Sequence, residues 1–172
     1  MKIIISVFLC LVGIKSFASY PTDFDYIENI ETTQNFQQIL TQAELTASVE
    51  GGKVLQTAGT MIDDKAIVVG SCWDYIDAVY TRAGYQSDQR LTVFESKLPG
   101  PYVQDDLIQA GDWLYFINHS FGNVEHSALF IAWTDVANRQ ALMVSYAGGD
   151  QSIPARLKIY DLSNVYNIIR PH

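Results

Sequence analysis

The most constraining feature of the chain is a series of five short segments in its C-terminal third. Each is rich in β-branched and aromatic residues and is bounded by turn-forming residues, which is typical of β-strands. Because the loops between them are short, neighbouring segments are expected to pair antiparallel. An extended piece, LTVFES (91–96), precedes them. The five segments are DWLYFIN (112–118), HSALFIAW (126–133), ALMVSYA (141–147), ARLKIYD (155–161) and VYNIIRP (165–171).

The residues before these strands have helical spacing. Between Thr33 and Val49, apolar residues recur on one helix face, and Gly51-Gly52 predicts the end of that helix. Residues 53–59 predict a second short helix that ends at Gly59. Helices followed by an antiparallel sheet of about five strands indicate an α+β fold. The apolar face consists of Phe36, Ile39, Leu40, Ala43 and Ala47.

The segment GSCWDYIDAVYTRAGY (70–85) predicts a third helix over 72–83. Ser71 is a favourable N-cap residue, and Asp74 three positions later completes a capping box. Gly84 predicts the end of the helix. The residues expected to face inward are Trp73, Ile76, Tyr80 and Ala83.

The first 18 residues have the pattern of a secretory signal peptide. Lys2 precedes an apolar run over 3–14, and Ser16-Phe17-Ala18 forms a small-residue cleavage site. The apolar run is too short to span a bilayer, so no stable membrane insertion is expected. We expect cleavage after Ala18 and a periplasmic or secreted mature protein.

Composition limits the classes of partner. The full chain has a net charge of −8, and loss of Lys2 and Lys15 with the leader makes the mature part more acidic. Such a protein is not expected to bind nucleic acid or an anionic membrane surface. We find no glycine-rich phosphate loop and no His/Cys cluster with metal-ligand spacing, so neither a metal nor a cofactor is expected. The length and the apolar fraction of 48% predict one globular domain.

Signal cleavage removes Cys10 and leaves Cys72 as the only cysteine. A single thiol in an oxidising compartment has three explanations: a buried inert residue, an intermolecular disulfide or a reactive group. Cys72 stands at the predicted start of a helix, where unpaired N–H groups and the helix dipole favour a thiolate. That position indicates a nucleophile.

A cysteine nucleophile needs a base, which is most often histidine. His126 opens a predicted strand, which is a rigid place for a catalytic group. His119 lies at the looser end of the preceding loop and is expected to be a polar loop residue. His172 is the terminal residue and is expected to be solvated.

The order of these elements resembles that of the NlpC-type papain-like cysteine peptidases of bacterial cell walls, and also that of the related CHAP amidases. In that superfamily a cysteine begins a helix that ends in an AG pair, and a GD turn leads into an apolar strand. A histidine then opens the next strand, and a polar residue on the following strand orients it. The matching positions here are Cys72, YTRAGY (80–85), Gly111-Asp112, His126 and ALMVSYA (141–147).

The resemblance covers about residues 53–171 and implies a papain-like NlpC-type fold. It implies Cys72 as the nucleophile, His126 as the base and Ser145 as the orienting residue, with Tyr146, Asp150 and Glu125 as alternatives for the last role. Asp112 is expected to be mainly a turn residue.

The family usually has Asp before the cysteine and Ser after it, whereas this chain has Ser71 and Trp73. Because these positions help to recognise substrate, the family's specificity for a free amino end does not carry over directly. The residues expected to bind substrate or to line the cleft are Ser71, Trp73, Tyr75, Trp113, Tyr115 and Tyr146.

The resulting expectation is a monomeric cysteine peptidase or amidase that acts on peptidoglycan or its peptide fragments. The corresponding domain organisation is a signal peptide (1–18), an N-terminal helical extension (19–50) and a catalytic domain (51–172). Two alternatives stay open. One is a non-catalytic cell-wall binder or inhibitor that retains the fold, and the other is an acyltransferase or amidase for another exported substrate.

Overall fold

The computed structural model describes residues 23–149 and 152–172, with side chains from Glu31 onward. The signal peptide predicted over residues 1–18 lies outside these ranges. Within them, three α-helices precede six strands, so the α+β prediction is confirmed. The helices are α1 (Asp23–Thr46), α2 (Val49–Asp63) and α3 (Cys72–Arg82). The strands are β1 (Arg90–Glu95), β2 (Trp113–Asn118), β3 (Val124–Asp135), β4 (Gln140–Ser145), β5 (Arg156–Asp161) and β6 (Val165–Pro171).

The strands form one antiparallel sheet in the order β1-β6-β2-β3-β4-β5. All five predicted strands are present, and the extended piece at 91–96 adds β1 at the edge beside β6. The hairpins β2–β3, β3–β4 and β4–β5 pair strands that follow one another in the chain. Tyr115 faces Ser127 across the β2–β3 pair, and Phe116 faces His126.

Alternating side chains of the sheet enter two separate cores, because successive residues of a strand point to opposite faces. One core packs the helices against the sheet and includes Trp113, Leu129 and Val144. The other contains no residue of the three helices and includes Phe116, Ala128 and Tyr160. The two cores therefore lie on opposite faces of the sheet.

Two of the predicted helix ends are wrong. Gly51 and Gly52 lie in the first turn of α2, which begins one residue after its N-cap, Ser48, and Gly59 lies inside the same helix. These glycines mark close packing instead of helix ends. A Cβ atom on Gly52 would lie 2.7 Å from the carbonyl oxygen of Glu44, and one on Gly51 would overlap the carbonyl oxygen of Ala110.

The N-terminal helical extension is part of the core. Leu40 and Ala43 are buried, and Phe36 and Ile39 pack beside them, which confirms the predicted apolar face. The most extensive contacts of α1 are with α2 and β3. A boundary between residues 50 and 51 would cut through α2.

Helix α3 is fixed to the sheet by a buried tyrosine. The hydroxyl of Tyr80 donates to the carbonyl oxygen of Gly111 at 2.8 Å and accepts from the amide of Trp113 at 3.1 Å. Arg90 of β1 also pairs with Asp77 of α3 at 2.6 Å. These contacts set the position of the N-terminus of α3 relative to β2 and β3.

In the part of the chain that the structure describes, no helix has the length and apolarity needed to cross a membrane.

Candidate active site

The start of α3 is stabilised by the predicted capping box. The Ser71 hydroxyl accepts from the amide of Trp73 at 3.2 Å, and Asp74 accepts from the amide and hydroxyl of Ser71 at 2.6 and 2.7 Å. These bonds lower the pKa of Asp74, the backbone bond from Ser71 being the largest cause. Cys72 is the first residue of the helix and is half-buried, with a free thiol.

The loop after β4 packs directly on this helix start. The amide of Gly149 donates to the carbonyl oxygen of Gly70 at 2.7 Å. Gly148 has a φ of +70°, and a Cβ atom there would lie 2.7 Å from Cα of Ser71 and 2.9 Å from N of Cys72. Because residue 148 is glycine, the loop after β4 can contact and stabilise the backbone at Ser71 and Cys72, the proposed nucleophile.

A small cleft of about 130 Å³ opens at the N-terminus of α3. It contains both the thiol-bearing residue and the imidazole-bearing residue that the sequence predicts. A larger hollow of about 420 Å³ lies between α1 and the sheet, but its lining contains neither cysteine nor histidine. The smaller cleft is therefore the candidate site. Its lining consists of Cys72, Trp73, Tyr115, Glu125, His126, Ser127 and Tyr166.

One wall of the cleft is aromatic and internally hydrogen-bonded. Nε1 of Trp73 donates to the hydroxyl of Tyr115 at 2.7 Å, and both rings pack on the buried Trp113. Burial raises the pKa of Tyr115 to about 12, against the opposing effect of the Trp73 bond. Trp73 is 45% exposed, so the prediction that it faces inward from α3 is wrong. Trp73 lies on the cleft wall, and its substrate role stays a prediction.

The aromatic wall continues to a tyrosine that is bound to a carboxylate, since the ring of Tyr166 lies edge-on to that of Tyr115. The hydroxyl of Tyr166 donates to Oε2 of Glu125 at 2.9 Å. Burial is the largest cause of the raised pKa of Tyr166, followed by the hydrogen bond and charge of Glu125. Glu125 is an alternative candidate for orienting His126, but its carboxylate accepts a hydrogen bond from Tyr166 instead.

His126 is held by two hydroxyl groups. Its Nε2 lies 3.3 Å from Oγ of Ser145 and 3.4 Å from the hydroxyl of Tyr160, and the two oxygens are 2.7 Å apart. The ring packs edge-on against Phe116 and obliquely against Tyr160. Both aromatic residues belong to the core on the face away from the helices. Burial lowers the pKa of His126 to about 4, with a smaller contribution from the charge of Lys158.

Cys72 and His126 both line the cleft, but their side chains are not hydrogen-bonded to each other, and the imidazole packs against Phe116 and Tyr160 on the face of the sheet away from the helices. Within residues 23–149 and 152–172, the thiol of Cys72 has no hydrogen-bond partner, and His126 bonds only through Nε2. Among the described residues, Nδ1 of His126 therefore has no hydrogen-bond partner. Catalytic hydrogen bonds are often long before substrate binds and shorten in the complex.

Four of the six residues expected to bind substrate or line the cleft do not contribute to its lining: Ser71, and three that are buried. Tyr75 and Tyr146 stack on each other in the helix-side core with ring centroids 4.4 Å apart, and each is at most 1% exposed. Tyr146 uses its hydroxyl to bond both backbone groups of Val68. The predicted substrate roles of Tyr75 and Tyr146 are therefore wrong, and Trp113 supports the wall from behind. Ser71 is exposed, but its hydroxyl is engaged in the capping box.

The other polar candidates that the structure describes, His119 and Asp112, lie at different places in the molecule. His119 is exposed, with its two ring nitrogens bonded to side-chain oxygens of Asn123 and Asn164 at 2.8 and 2.6 Å. These bonds raise its pKa, the Asn123 bond being the largest cause. Asp112 is buried, and its carboxylate pairs with Arg170 at 2.7 Å and accepts from the amide of Gln109. Burial nonetheless raises the pKa of Asp112. Asp150 lies outside the described residues.

Sequence reasoning missed Tyr160 and Tyr166. Tyr160 on β5 pairs with Ala141 on β4, whereas Ser145 pairs with Arg156, four residues away along β5. Tyr160 bonds to Ser145 because its side chain is long. Tyr160 can be found from the sequence by pairing β4 with β5 and then looking for polar residues on the same face of the sheet as His126. Tyr166 lies where the register between β2 and β6 is irregular. The regular alternation of side chains along a strand therefore does not predict that Tyr166 lines the cleft.

Comparisons of the chain with protein-family models, with curated proteins and with solved structures found no match.

Proposed function

We propose that this protein is an exported cysteine hydrolase with an NlpC-type papain-like fold that cleaves amide bonds in peptidoglycan peptides. The observation that carries the proposal is the presence of Cys72 and His126 in the lining of one cleft, with Cys72 at a capped helix start and His126 beside Ser145. A nucleophile, a base and an orienting group are the parts that acyl transfer requires.

In the proposed reaction the sulfur of Cys72 attacks the carbonyl carbon of the amide. Nδ1 of His126 accepts the thiol proton and delivers it to the leaving amine, which leaves a thioester on Cys72. Water then attacks the thioester, its proton passes through His126 to the sulfur, and the carboxylic acid product departs. The backbone N–H of Cys72, unpaired within the helix, is the proposed donor to the developing oxyanion.

The lowered pKa of His126 is compatible with the first step. A pKa near 4 leaves the imidazole neutral at pH 7, and only the neutral ring accepts a proton. The same value makes it a weak base, so attack depends on the thiolate charge that forms beside it and stabilises the imidazolium.

The aromatic wall supports an extended substrate lying across the cleft. Trp73, Tyr115 and Tyr166 offer flat apolar surface with hydroxyl groups at its edge. Such surfaces suit a peptide that carries both apolar and polar groups.

The direct experiment is digestion of purified peptidoglycan fragments with product identification by mass. We expect a mass gain of one water per cleaved amide with the wild-type chain and no cleavage with Cys72→Ser, which changes one atom. A folded wild-type protein that leaves every fragment intact contradicts the proposal.

Binding without turnover is the second candidate, and one observation favours it. The Cys72 thiol has no hydrogen bond to His126 in the described residues, so the resting site lacks an assembled thiol–imidazole pair. Calorimetric titration with the same fragments distinguishes the two functions. Equal binding by wild type and Cys72→Ser, with no cleavage by either, supports a binder.

A further inference from the structure

Two adjoining hollows beside α1 are lined, among the residues that the structure describes, by uncharged side chains only. The first, of about 420 Å³, lies between α1 and β3, and the second, of about 300 Å³, lies between the end of α1 and the segment before β2. Both include Thr46 and Ala110, so they form one groove, which we call the α1 groove. Its polar residues are Asn35, Gln38, Gln42, Thr46, Ser48 and Gln109.

The α1 groove presents amide side chains that are free to bind a ligand. Asn35, Gln38 and Gln42 are spaced by three and four residues along α1, which places them on one face of the helix. These three residues and Gln109 are exposed, and within the described part of the chain their side chains have no hydrogen-bond partner. An amide group both donates and accepts hydrogen bonds, so it suits a hydroxyl or an acetamido group equally well.

The rest of the lining is apolar. Ile39 of α1 and Ile131 and Ala132 of β3 form the floor between the amide side chains and the sheet. A concave site with an apolar floor and a few polar groups is typical of ligand-binding pockets.

Charge and composition limit what the α1 groove can bind. The chain has 19 acidic and 11 basic residues, yet none of them lines the groove, so nothing there selects a charged ligand. The aromatic residues and arginines that are enriched at protein interfaces are also absent from the lining given by the described residues.

We propose that the α1 groove binds a neutral glycan, with the amide side chains bonding its hydroxyl and acetamido groups and the apolar floor contacting its C–H faces. This inference goes beyond the proposed reaction, because binding by the groove is measurable without any cleavage. Only the identification of the glycan with the sugar strand of peptidoglycan rests on the proposed function.

Strand β3 contributes to both the cleft and the α1 groove. Ser127 lines the cleft, and Ile131, four residues later, lines the groove. At about 3.4 Å per residue the two positions are about 14 Å apart along the strand. An extended peptide of about four residues spans that distance. A glycan in the groove could therefore carry a peptide that reaches the cleft.

The test is calorimetric titration of the folded chain with the tetramer of N-acetylglucosamine, which carries neither charge nor peptide. We expect the wild type to bind it and Gln38→Ala/Gln42→Ala to bind it about tenfold more weakly, because two hydrogen-bonding groups are lost. The matched control is Gln34→Ala/Gln37→Ala, which makes the same changes at exposed positions of α1 that do not line the groove. The control should bind like the wild type, and circular dichroism checks the folding of both variants.

Three results overturn the inference. The first is a folded wild type that does not bind the tetramer, and the second is equal binding by the wild type and Gln38→Ala/Gln42→Ala. The third is a sugar-free stem peptide whose binding is lost in Gln38→Ala/Gln42→Ala and kept in the control, which would make the α1 groove a peptide site.

Cleavage separates this inference from the proposed function. With an active wild type, Gln38→Ala/Gln42→Ala should raise KM for glycan-linked fragments about tenfold with little change in kcat, and should leave cleavage of sugar-free peptides unchanged. If the wild type cleaves nothing but binds the tetramer through the groove, the proposed function fails and the glycan site stands. If cleavage occurs and the tetramer does not bind, the proposed function stands and the glycan site fails.

Discussion

At the scale of single residues, the site depends on how neighbouring charges and burial act on His126. Its ring is in contact with the core on the helix-free face, and burial is the larger cause of its low pKa. The second cause is Lys158, whose ammonium lies 4.8 Å from the ring centroid of Tyr160. The positive charge of Lys158 disfavours the imidazolium.

Replacing Lys158 by Met should raise the pKa of His126 from about 4 toward the ordinary 6.5 without reaching it, because burial remains. Activity requires the neutral ring in the free enzyme, so the acid limb of the rate should move to higher pH. Proton NMR titration and the pH dependence of kcat/KM measure the two shifts. Arg156→Met is the control, since Arg156 is an exposed cation on the same strand that is not a cause of the shift. Equal shifts in both variants contradict the assignment.

Substitution of the two loop-flanking histidines should have unequal effects. His126→Ala should reduce turnover by about 10²–10⁴-fold because the proposed base is lost. His119→Ala should keep most activity, since His119 is exposed and its bonds go to two asparagines, neither of which lines the cleft. Steady-state assays of both variants, with circular dichroism as the folding check, give the answer. The opposite ranking means that the base has been assigned to the wrong histidine.

At the scale of elements, the position of the nucleophile depends on the contact between the β4–β5 loop and the start of α3. Two adjacent glycines in that loop allow a clean comparison. Gly148 and Gly149 both have positive φ, +70° and +67°, but only Gly148 lies against Ser71 and Cys72, and a Cβ atom on Gly149 would meet nothing within 4 Å.

Gly149→Ala should lose about 1 kcal/mol of unfolding free energy, the conformational cost of alanine in this region. Gly148→Ala carries the same cost plus a backbone clash, and should be less stable by a further 1–3 kcal/mol, about the cost of overpacking. It should also slow iodoacetamide labelling of Cys72 relative to Gly149→Ala. Urea unfolding and timed mass spectrometry measure both quantities. Equal stability and equal labelling in the two variants would contradict a stabilising contact between Gly148 and the start of α3.

The sequence predicted elements better than contacts between them. Strand composition and the capping box at Ser71 are local signals, and both are confirmed. The glycines at 51 and 52 were misread because their signal is identical for a helix end and for close helix packing, and only the neighbouring chain distinguishes the two. Tyr75 and Tyr146 were misplaced for a similar reason, since an aromatic residue beside a motif fits a cleft wall and a core equally well.

At the scale of the whole molecule, α1 belongs to the same core as α2, α3 and the sheet. The described α1 side chains do not line the cleft, so the helix acts by packing instead of by shaping the site. We therefore expect α1 to be required for the stability of this core.

Leu40→Ala should cost about 2–5 kcal/mol of unfolding free energy, because a buried side chain is replaced by a cavity. The control is Leu45→Ala in the same helix. Leu45 is 78% exposed against 3% for Leu40, and its loss should change stability by no more than about 0.5 kcal/mol. Urea denaturation of the two variants measures the difference. Similar small losses for both would show that α1 is dispensable to the core.

The central claim is that Cys72 attacks an amide carbonyl with the help of His126. The most direct measurement is the mass of the peptide containing Cys72 after rapid mixing with peptidoglycan fragments and acid quench. The account predicts a transient increase equal to an acyl group in the wild type, a much slower increase in His126→Ala and none in Cys72→Ser. Cleaved product from Cys72→Ser, or fragment binding by the wild type with neither adduct nor product, would contradict it.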